Sequence, residues 1–226
     1  MGCIHIQGQE EPVHVGKIVC VGANYTEHNK EMGRADKVES ILFLKPSTAL
    51  LNEGQPITIP PFTIEVHHEL EVVLLIGKGG KRIPTRKARN HIAAIGVGLD
   101  LTARDMQRVA KKHGLPWAVP KGFDGSAPVS KFIHLTDDID LDDLHTTLTV
   151  NGTVRQQGHT ANMLLDVCGL ISYASRFYTL EAGDLIYTGT PEGVDLIKAG
   201  DVMEFGIDGL VSATYKVEEE IAVEKC

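Results

Sequence analysis

The sequence predicts an α+β architecture that is predominantly β, with a few short helices. Three observations lead there. Short apolar runs of strand length recur along most of the chain and stop at Gly or Pro. The later half carries two hairpin signals, Asn151-Gly152 and Asp208-Gly209. Helical periodicity is confined to a few short segments, without the regular strand-helix alternation of a βαβ repeat.

Taken in order, residues 1 to 16 read as a polar leader and 17 to 226 as one domain, a size that buries a substantial core. Lys17 to Gly22 is a first buried strand closed by a turn glycine, and Asn24 to Met32 a short helix with Asn24 or Thr26 as N-cap and Gly33 as its stop. Ile41 to Pro46 is a second buried strand. Pro56, Pro60 and Pro61 mark a loop before the strand that carries Glu69. Residues 85 to 94 read as helical and lead into the strand that ends at Asp100. Thr102 to Asp105 resembles a capping box, opening a helix that runs to about His113 and stops at Gly114 and Pro116. A type I′ hairpin is expected around Asn151-Gly152, an apolar-rich helix over 161 to 178, and short strands over 184 to 188, 202 to 207 and 210 to 217.

Composition excludes several function classes. The formal charge is −8 and Lys and Arg form no run, so neither nucleic acid nor an anionic membrane is an expected partner. No apolar run approaches the ~20 residues of a spanning helix, and the first dozen residues lack the apolar core of a signal peptide. Position 6 is Ile rather than Ser or Thr, so Met1-Gly2 does not complete a myristoylation motif. A cytoplasmic location is expected. The cysteines at 3, 20, 168 and 226 show no Cys-x-x-Cys spacing and are expected as reduced thiols, with Cys20 and Cys168 in the core.

The residues with chemical potential begin with Glu69 and Glu71. The strand period of two sends both to one face, which continues into Val73 and Leu75 and so into an apolar interior. Ionised carboxylates there are costly unless paired or bound to a metal. Asp100 ends its own apolar strand on the face it shares with Gly96 and Gly98, where missing side chains permit close approach. Oxygen-only ligands select Mg2+, Mn2+ or Ca2+ over zinc. Spacing alone leaves two readings level: a hard-cation site, or a solvated Glu-x-Glu face plus an unrelated Asp.

Other candidates depend on that site for their meaning. His28 and Glu31 share one face of the first helix, where the carboxylate could orient the imidazole as a general base, although such pairs are commonly surface contacts. Lys121 lies in a turn-rich loop from which it could stabilise an oxyanion or simply be solvated. The turn after Tyr187 can aim backbone N–H groups and the Thr190 hydroxyl at a carboxylate or oxyanion. Arg104 and Gln107 share a face of the helix after Asp100 and could reach a bound substrate. His67 has the parity of the glutamates and could support a metal shell, whereas His68 points to the opposite face. The acidic run from Asp137 to Asp143 lacks the glycine and closing glutamate of a calcium loop and reads as a solvated turn.

Six motifs then occur in order: Asn24-Tyr25-x-x-His28-x-x-Glu31-Met32, Phe43-x-Lys45-Pro46, His68-Glu69-x-Glu71, Leu99-Asp100-x-Thr102-x-Arg104-Asp105, Lys121-x-Phe123-Asp124 and Thr188-Gly189-Thr190-Pro191-x-Gly193-Val194. In this the chain resembles the fumarylacetoacetate hydrolase family, and most of all its short acylpyruvase and oxaloacetate decarboxylase branch, over about residues 17 to 217. The resemblance implies a mixed β-sandwich roll of the family's C-terminal-domain type, a catalytic domain that works as a homodimer, and Mg2+ or Mn2+, with Ca2+ possible in crystals, held by Glu69, Glu71 and Asp100. It further implies a His28–Glu31 dyad, Lys121 near the reacting carbonyl, and a lid helix bearing Arg104 and Gln107. One departure is visible: Asp195 follows Gly193-Val194 where the family commonly has another glycine.

The activity implied is cleavage of a carbon–carbon bond in a β-dicarbonyl 2-oxo acid, releasing pyruvate from an acylpyruvate or fumarylpyruvate through a metal-stabilised enolate. The dyad would activate the water, and Lys121 with Thr190 would stabilise the charge on the distal carbonyl. Oxaloacetate decarboxylation and oxaloacetate keto–enol tautomerisation use the same machinery and stand as alternatives. A non-catalytic protein that binds metal and dicarboxylates is the remote one.

Overall fold

Apolar runs of strand length become paired strands in the computed structural model, which describes residues 2–27 and 41–220. Eight early strands are β1 (Cys3–Ile4), β2 (Val13–His14), β3 (Ile18–Gly22), β4 (Ile41–Lys45), β5 (Leu50–Asn52), β6 (Ile57–Ile59), β7 (Val66–His68) and β8 (Leu70–Ile76). Helix α1 (Thr85–Ala88) leads through a 3-10 turn to β9 (Ile92–Leu99), β10 (Thr102–Ala103), α2 (Arg104–His113), α3 (Ala118–Gly122), β11 (Ala127–Val129) and β12 (Ile133–His134). The remainder comprises β13 (His145–Val150), β14 (Thr153–His159), α4 (Val167–Phe177), β15 (Leu185–Tyr187), β16 (Asp195–Leu196), β17 (Val202–Ile207) and β18 (Val211–Glu219).

The main sheet runs β4-β3-β15-β8-β9-β11-β5, with β12 added beside β9, and a second sheet runs β14-β13-β17-β18-β6. Most pairs are antiparallel; β15 with β3, β11 with β5 and β18 with β6 are parallel. Side-chain alternation divides the interior in two. Val72, Leu74, Ile95 and Val97 face the second sheet's Leu148, Phe205, Ala213 and Tyr215. Val73, Leu75, Ala94, Cys20 and Tyr187 face the opposite way and pack with Phe132, Ile4 and Ile6. This is the expected strand-dominated roll, and the β8 face that carries Glu71 does continue into the buried side chains of Val73 and Leu75.

Several local expectations are corrected. The stretch read as a polar leader is built into the fold: β1 pairs with β2, and alternation buries Ile4 and Ile6 while polar neighbours face out. Thr102 is no capping residue, because residues 102 and 103 pair with β7 as strand and the Thr102 hydroxyl donates to Asp100 O at 3.2 Å. Asp105 secures α2 instead, accepting from Met106 N, from the Thr63 hydroxyl and from Ile64 N. Gly114 ends α2 in the left-handed conformation, as expected. Helix α4 is shorter than the expected 161 to 178, because Asn24 pins Leu164 and Leu165 by backbone and side-chain bonds and Asp166 then caps at Gly169 N. Cys20 is fully buried, whereas Cys168 is only partly so. Of the helix expected over Asn24 to Met32, Thr26 and Glu27 are helical; the rest, with His28 and Glu31, lies outside the described residues.

Gly96 and Gly98 do permit close approach. A side chain on Gly96 would meet the Phe132 ring, and one on Gly98 would meet Pro128 O and the Tyr187 hydroxyl at 2.8 Å. Gly98→Ala should therefore lower stability by about 1–3 kcal/mol, the usual cost of overpacking, with the urea midpoint as the readout. A midpoint equal to that of the wild type would mean that the neighbours of β9 yield freely.

Candidate metal centre and active site

Glu69 follows β7 and immediately precedes β8, Glu71 is the second residue of β8, and Asp100 follows β9, which pairs with β8 so that Leu70 faces Leu99. That register and the Asp100 N–H bond to Glu69 O bring the three carboxylates together. One oxygen from each lies within 4.8 Å of the others, and all three residues are buried, at 6%, 2% and 1% exposure. Three buried anions this close require compensation.

Cations from three other segments supply it. Lys121 Nζ donates to Glu69 Oε2 at 2.7 Å and to Asp100 Oδ2 at 2.5 Å, and stands 4.9 Å over the Phe43 ring. Lys45 Nζ lies 2.8 Å from Asp100 Oδ1. Arg104 reaches Glu69 Oε1 with one terminal nitrogen and Gln107 Oε1 with the other, at 2.7 Å. Burial alone would lower the Lys121 pKa, but attraction by Asp100 and Glu69 outweighs it and holds the ammonium above the ordinary lysine value. Glu71 is in the opposite position. Burial first, then repulsion from Asp100 and Glu69, pushes its pKa well above the usual carboxylate range, and the Gly189 N–H at 2.7 Å relieves this only in part.

The donor set fits a hard divalent ion: three carboxylates from adjacent strands, oxygen only, converging at one point, with one member whose ionised form lacks a full countercharge. Neither His67 nor His68 belongs to the carboxylate group. His67 Nε2 meets Glu65 Oε1 at 3.0 Å and His68 Nδ1 meets Gln156 Oε1 at 2.8 Å.

Lys121 is not in a loop, as expected from its turn-rich surroundings, but on helix α3, where Pro120 is tolerated because the helix is little more than one turn. The Thr190 turn does aim a backbone N–H at a carboxylate, and the recipient is Glu71 of this chain. Gly189 has φ 99°, and a side chain there would strike Asn24, so this geometry requires glycine. Thr190 Oγ1 itself accepts from Gln156 Nε2 at 2.9 Å. Arg104, Gln107, Thr190, Lys121, Glu69 and Glu71 all line one narrow cavity of about 20 Å³, together with Phe43 and Trp117. Beside it a roomier cavity of about 310 Å³ is bounded by Tyr25, Thr26, Gln157, His159 and Glu192. Asp195, the departure noted above, starts β16 opposite His68 and bonds its own neighbour Leu196 N.

Two functional contacts escaped the sequence reading. Lys45 stood within a motif without a role, although a lysine at the end of an apolar strand is itself a signal of a buried partner. Gln156 carried no signal, yet it bonds His68, Leu70 N, Thr190 and Pro191 O, joining β8 to the 188–191 turn.

Residues 17–218 match the family model described as fumarylacetoacetate (FAA) hydrolase C-terminal. The chain is 48% identical over 201 residues to the mitochondrial oxaloacetate tautomerase FAHD1 of Mus musculus, covering 89% of this chain and 91% of that protein. It is 44% identical over 195 residues to the mitochondrial oxaloacetate decarboxylase of Dictyostelium discoideum, covering 86% and 89%. Among solved structures, the fumarylpyruvate hydrolase of Pseudomonas aeruginosa in complex with Mn2+ and pyruvate aligns with a TM-score of 0.91 at 35% identity, covering 96% of each chain. None of the described helices is long and apolar enough to cross a membrane.

Proposed function

The chain belongs to the fumarylacetoacetate hydrolase family, and from that premise we propose that it is a divalent-metal enzyme acting on 2-oxo dicarboxylates, with keto–enol tautomerisation of oxaloacetate as its reaction. The observation that carries this reading is the charge of the inner cluster. Lys45, Arg104 and Lys121 pair with Glu69 and Asp100 and leave Glu71 without a cation of its own, so that with Glu71 ionised the formal charges of the cluster sum to zero. A divalent ion adds two positive charges, and a dianionic substrate cancels them where uncompensated charge is costly. The tautomerase and decarboxylase relatives support the choice of oxaloacetate.

Glu69, Glu71 and Asp100 would hold Mg2+ or Mn2+, which supplies Lewis-acid polarisation of the ketone and its neighbouring carboxylate. Lys121 holds a proton at Nζ and stabilises negative charge growing on the ketone oxygen. Arg104, with Gln107 fixing its guanidinium, orients the distal carboxylate, and the Thr190 hydroxyl borders the same space. His28, aligned by Glu31, would move the C3 proton between carbon and water. Phe43 and Trp117 supply the aromatic part of the same lining. The working unit in this reading is a homodimer, for which exposed Phe62, Ile64, Val109 and Leu115 on and beside α2 offer apolar surface.

Hydrolysis of fumarylpyruvate or another acylpyruvate is the second reading, favoured by the Pseudomonas neighbour; decarboxylation of oxaloacetate uses the same residues. One assay separates them. With Mg2+ or Mn2+, the protein should speed the decay of enol-oxaloacetate absorbance without releasing matching pyruvate, and EDTA should abolish the effect. Pyruvate appearing in step with oxaloacetate loss would replace tautomerisation by decarboxylation, and pyruvate from fumarylpyruvate alone would establish the hydrolase.

A further inference from the structure

A second group of metal-ligating side chains lies at the surface, on the second sheet. His145 opens β13 and His159 closes β14, and the two are direct cross-strand partners. Their rings stack at 4.0 Å with 17° between the planes. Both turn Nε2 towards the same carboxylate oxygen: Asp143 Oδ1 lies 2.8 Å from His159 Nε2 and 3.6 Å from His145 Nε2. One donor atom from each residue lies within 4.8 Å of the others.

We propose that Asp143, His145 and His159 form a zinc site, distinct in place and chemistry from the inner carboxylates. Two imidazoles and one carboxylate are a donor set for zinc and other borderline transition metals, whereas Mg2+ prefers oxygen alone. Tetrahedral ligands at ~2.0–2.1 Å from zinc stand ~3.3 Å apart, so Asp143 and His159 open slightly from 2.8 Å, Asp143 and His145 close slightly from 3.6 Å, and the two stacked rings tilt towards a common point. Their side chains are 67%, 56% and 30% exposed, which leaves the fourth position open to water.

The backbone beneath is fixed. Asp208 N bonds His145 O, while Leu144 and Thr160 exchange bonds through Thr160 N and the Thr160 hydroxyl, so the two histidines stand on paired strands and Asp143 directly precedes an anchored residue. Asp137, Asp138, Asp140 and Asp142 precede the site and raise the local cation concentration. The run read as merely solvated therefore acquires a role. Zinc would fasten the 137–143 loop to the open end of the β13–β14 hairpin, on the side where His159 borders the 310 Å³ cavity.

Titration calorimetry with Zn2+ on the whole protein, in saturating Mg2+ so that the inner carboxylates are engaged, tests the proposal. One zinc per chain should bind, with His145 and His159 ring-nitrogen NMR signals shifting together. His145→Gln or His159→Gln should weaken binding by at least about tenfold, the scale on which even the outer partners of a bound metal count, while Glu71→Gln keeps it. Equal affinity in wild type and both histidine variants, or binding lost only with Glu71→Gln, would overturn the assignment, as would no zinc binding at all. His145 is exposed and His159 half-buried, and circular dichroism verifies that both variants fold.

Discussion

Glu71→Gln is expected to cut metal-stimulated turnover of oxaloacetate about 10³-fold, the scale of losing a few kcal/mol of Lewis-acid stabilisation. Glutamine keeps the shape of the side chain and can still accept from Gly189 N, so the fold should survive. Its effect on stability has the opposite sign. In metal-free wild type the folded-state pKa of Glu71 is raised above its unfolded value near 4.5. The unfolded chain then releases this proton more readily, and stability falls as pH rises from about that value through the folded pKa. Glutamine cannot lose a proton, so in EDTA the variant should melt at a higher temperature than wild type at pH 7 and show a flatter pH profile. Added Mg2+ should raise the melting temperature of wild type and not of the variant. Preserved Mg2+-stimulated turnover would remove Glu71 from the metal centre.

Lys121→Met should be damaging in both respects. Methionine fills much of the volume but leaves Glu69 and Asp100 without the ammonium that bridges them. Breaking a buried pair by deleting one partner costs roughly 3–5 kcal/mol, measurable as a lower urea midpoint in EDTA. Mg2+ should restore part of this loss, because it compensates the same carboxylates. Turnover should fall about 10²–10³-fold even at saturating Mg2+, as expected when a group that stabilises developing negative charge is removed. Full activity in the Mg2+-loaded variant would restrict Lys121 to a structural role.

What the sequence made legible follows from local rules. Strand alternation sufficed to place Glu69 and Glu71 on an inward face, and the positive φ of Asn151, Gly152 and Gly209 matches the turn chemistry read at both hairpins. The metal role remained one of two readings until motif order favoured it. Where local rules failed, a distant partner had intervened. The apparent capping box is strand because β7 pairs with it. Helix α4 starts late because Asn24, far away in sequence, holds the preceding residues. Gln156 looked like any residue of a half-exposed strand, since its importance lies wholly in bonds to residues remote along the chain. Ile4 and Ile6 were obscured by polar neighbours in a segment too short for a clear period.

Lys45 ends β4, yet its ammonium gathers Leu101 O, Ser126 O, the Ser126 hydroxyl and the Lys121 carbonyl, as well as Asp100. Detaching β4 from the sheet edge would release the backbone of the lysine helix and the loop behind Asp100 in a single event. In the proposed metal site, ion affinity would thereby be tied to the local opening free energy of one edge strand. Amide hydrogen exchange along β4 should slow when Mg2+ or Mn2+ is added, even though no residue of that strand is among the proposed ligands.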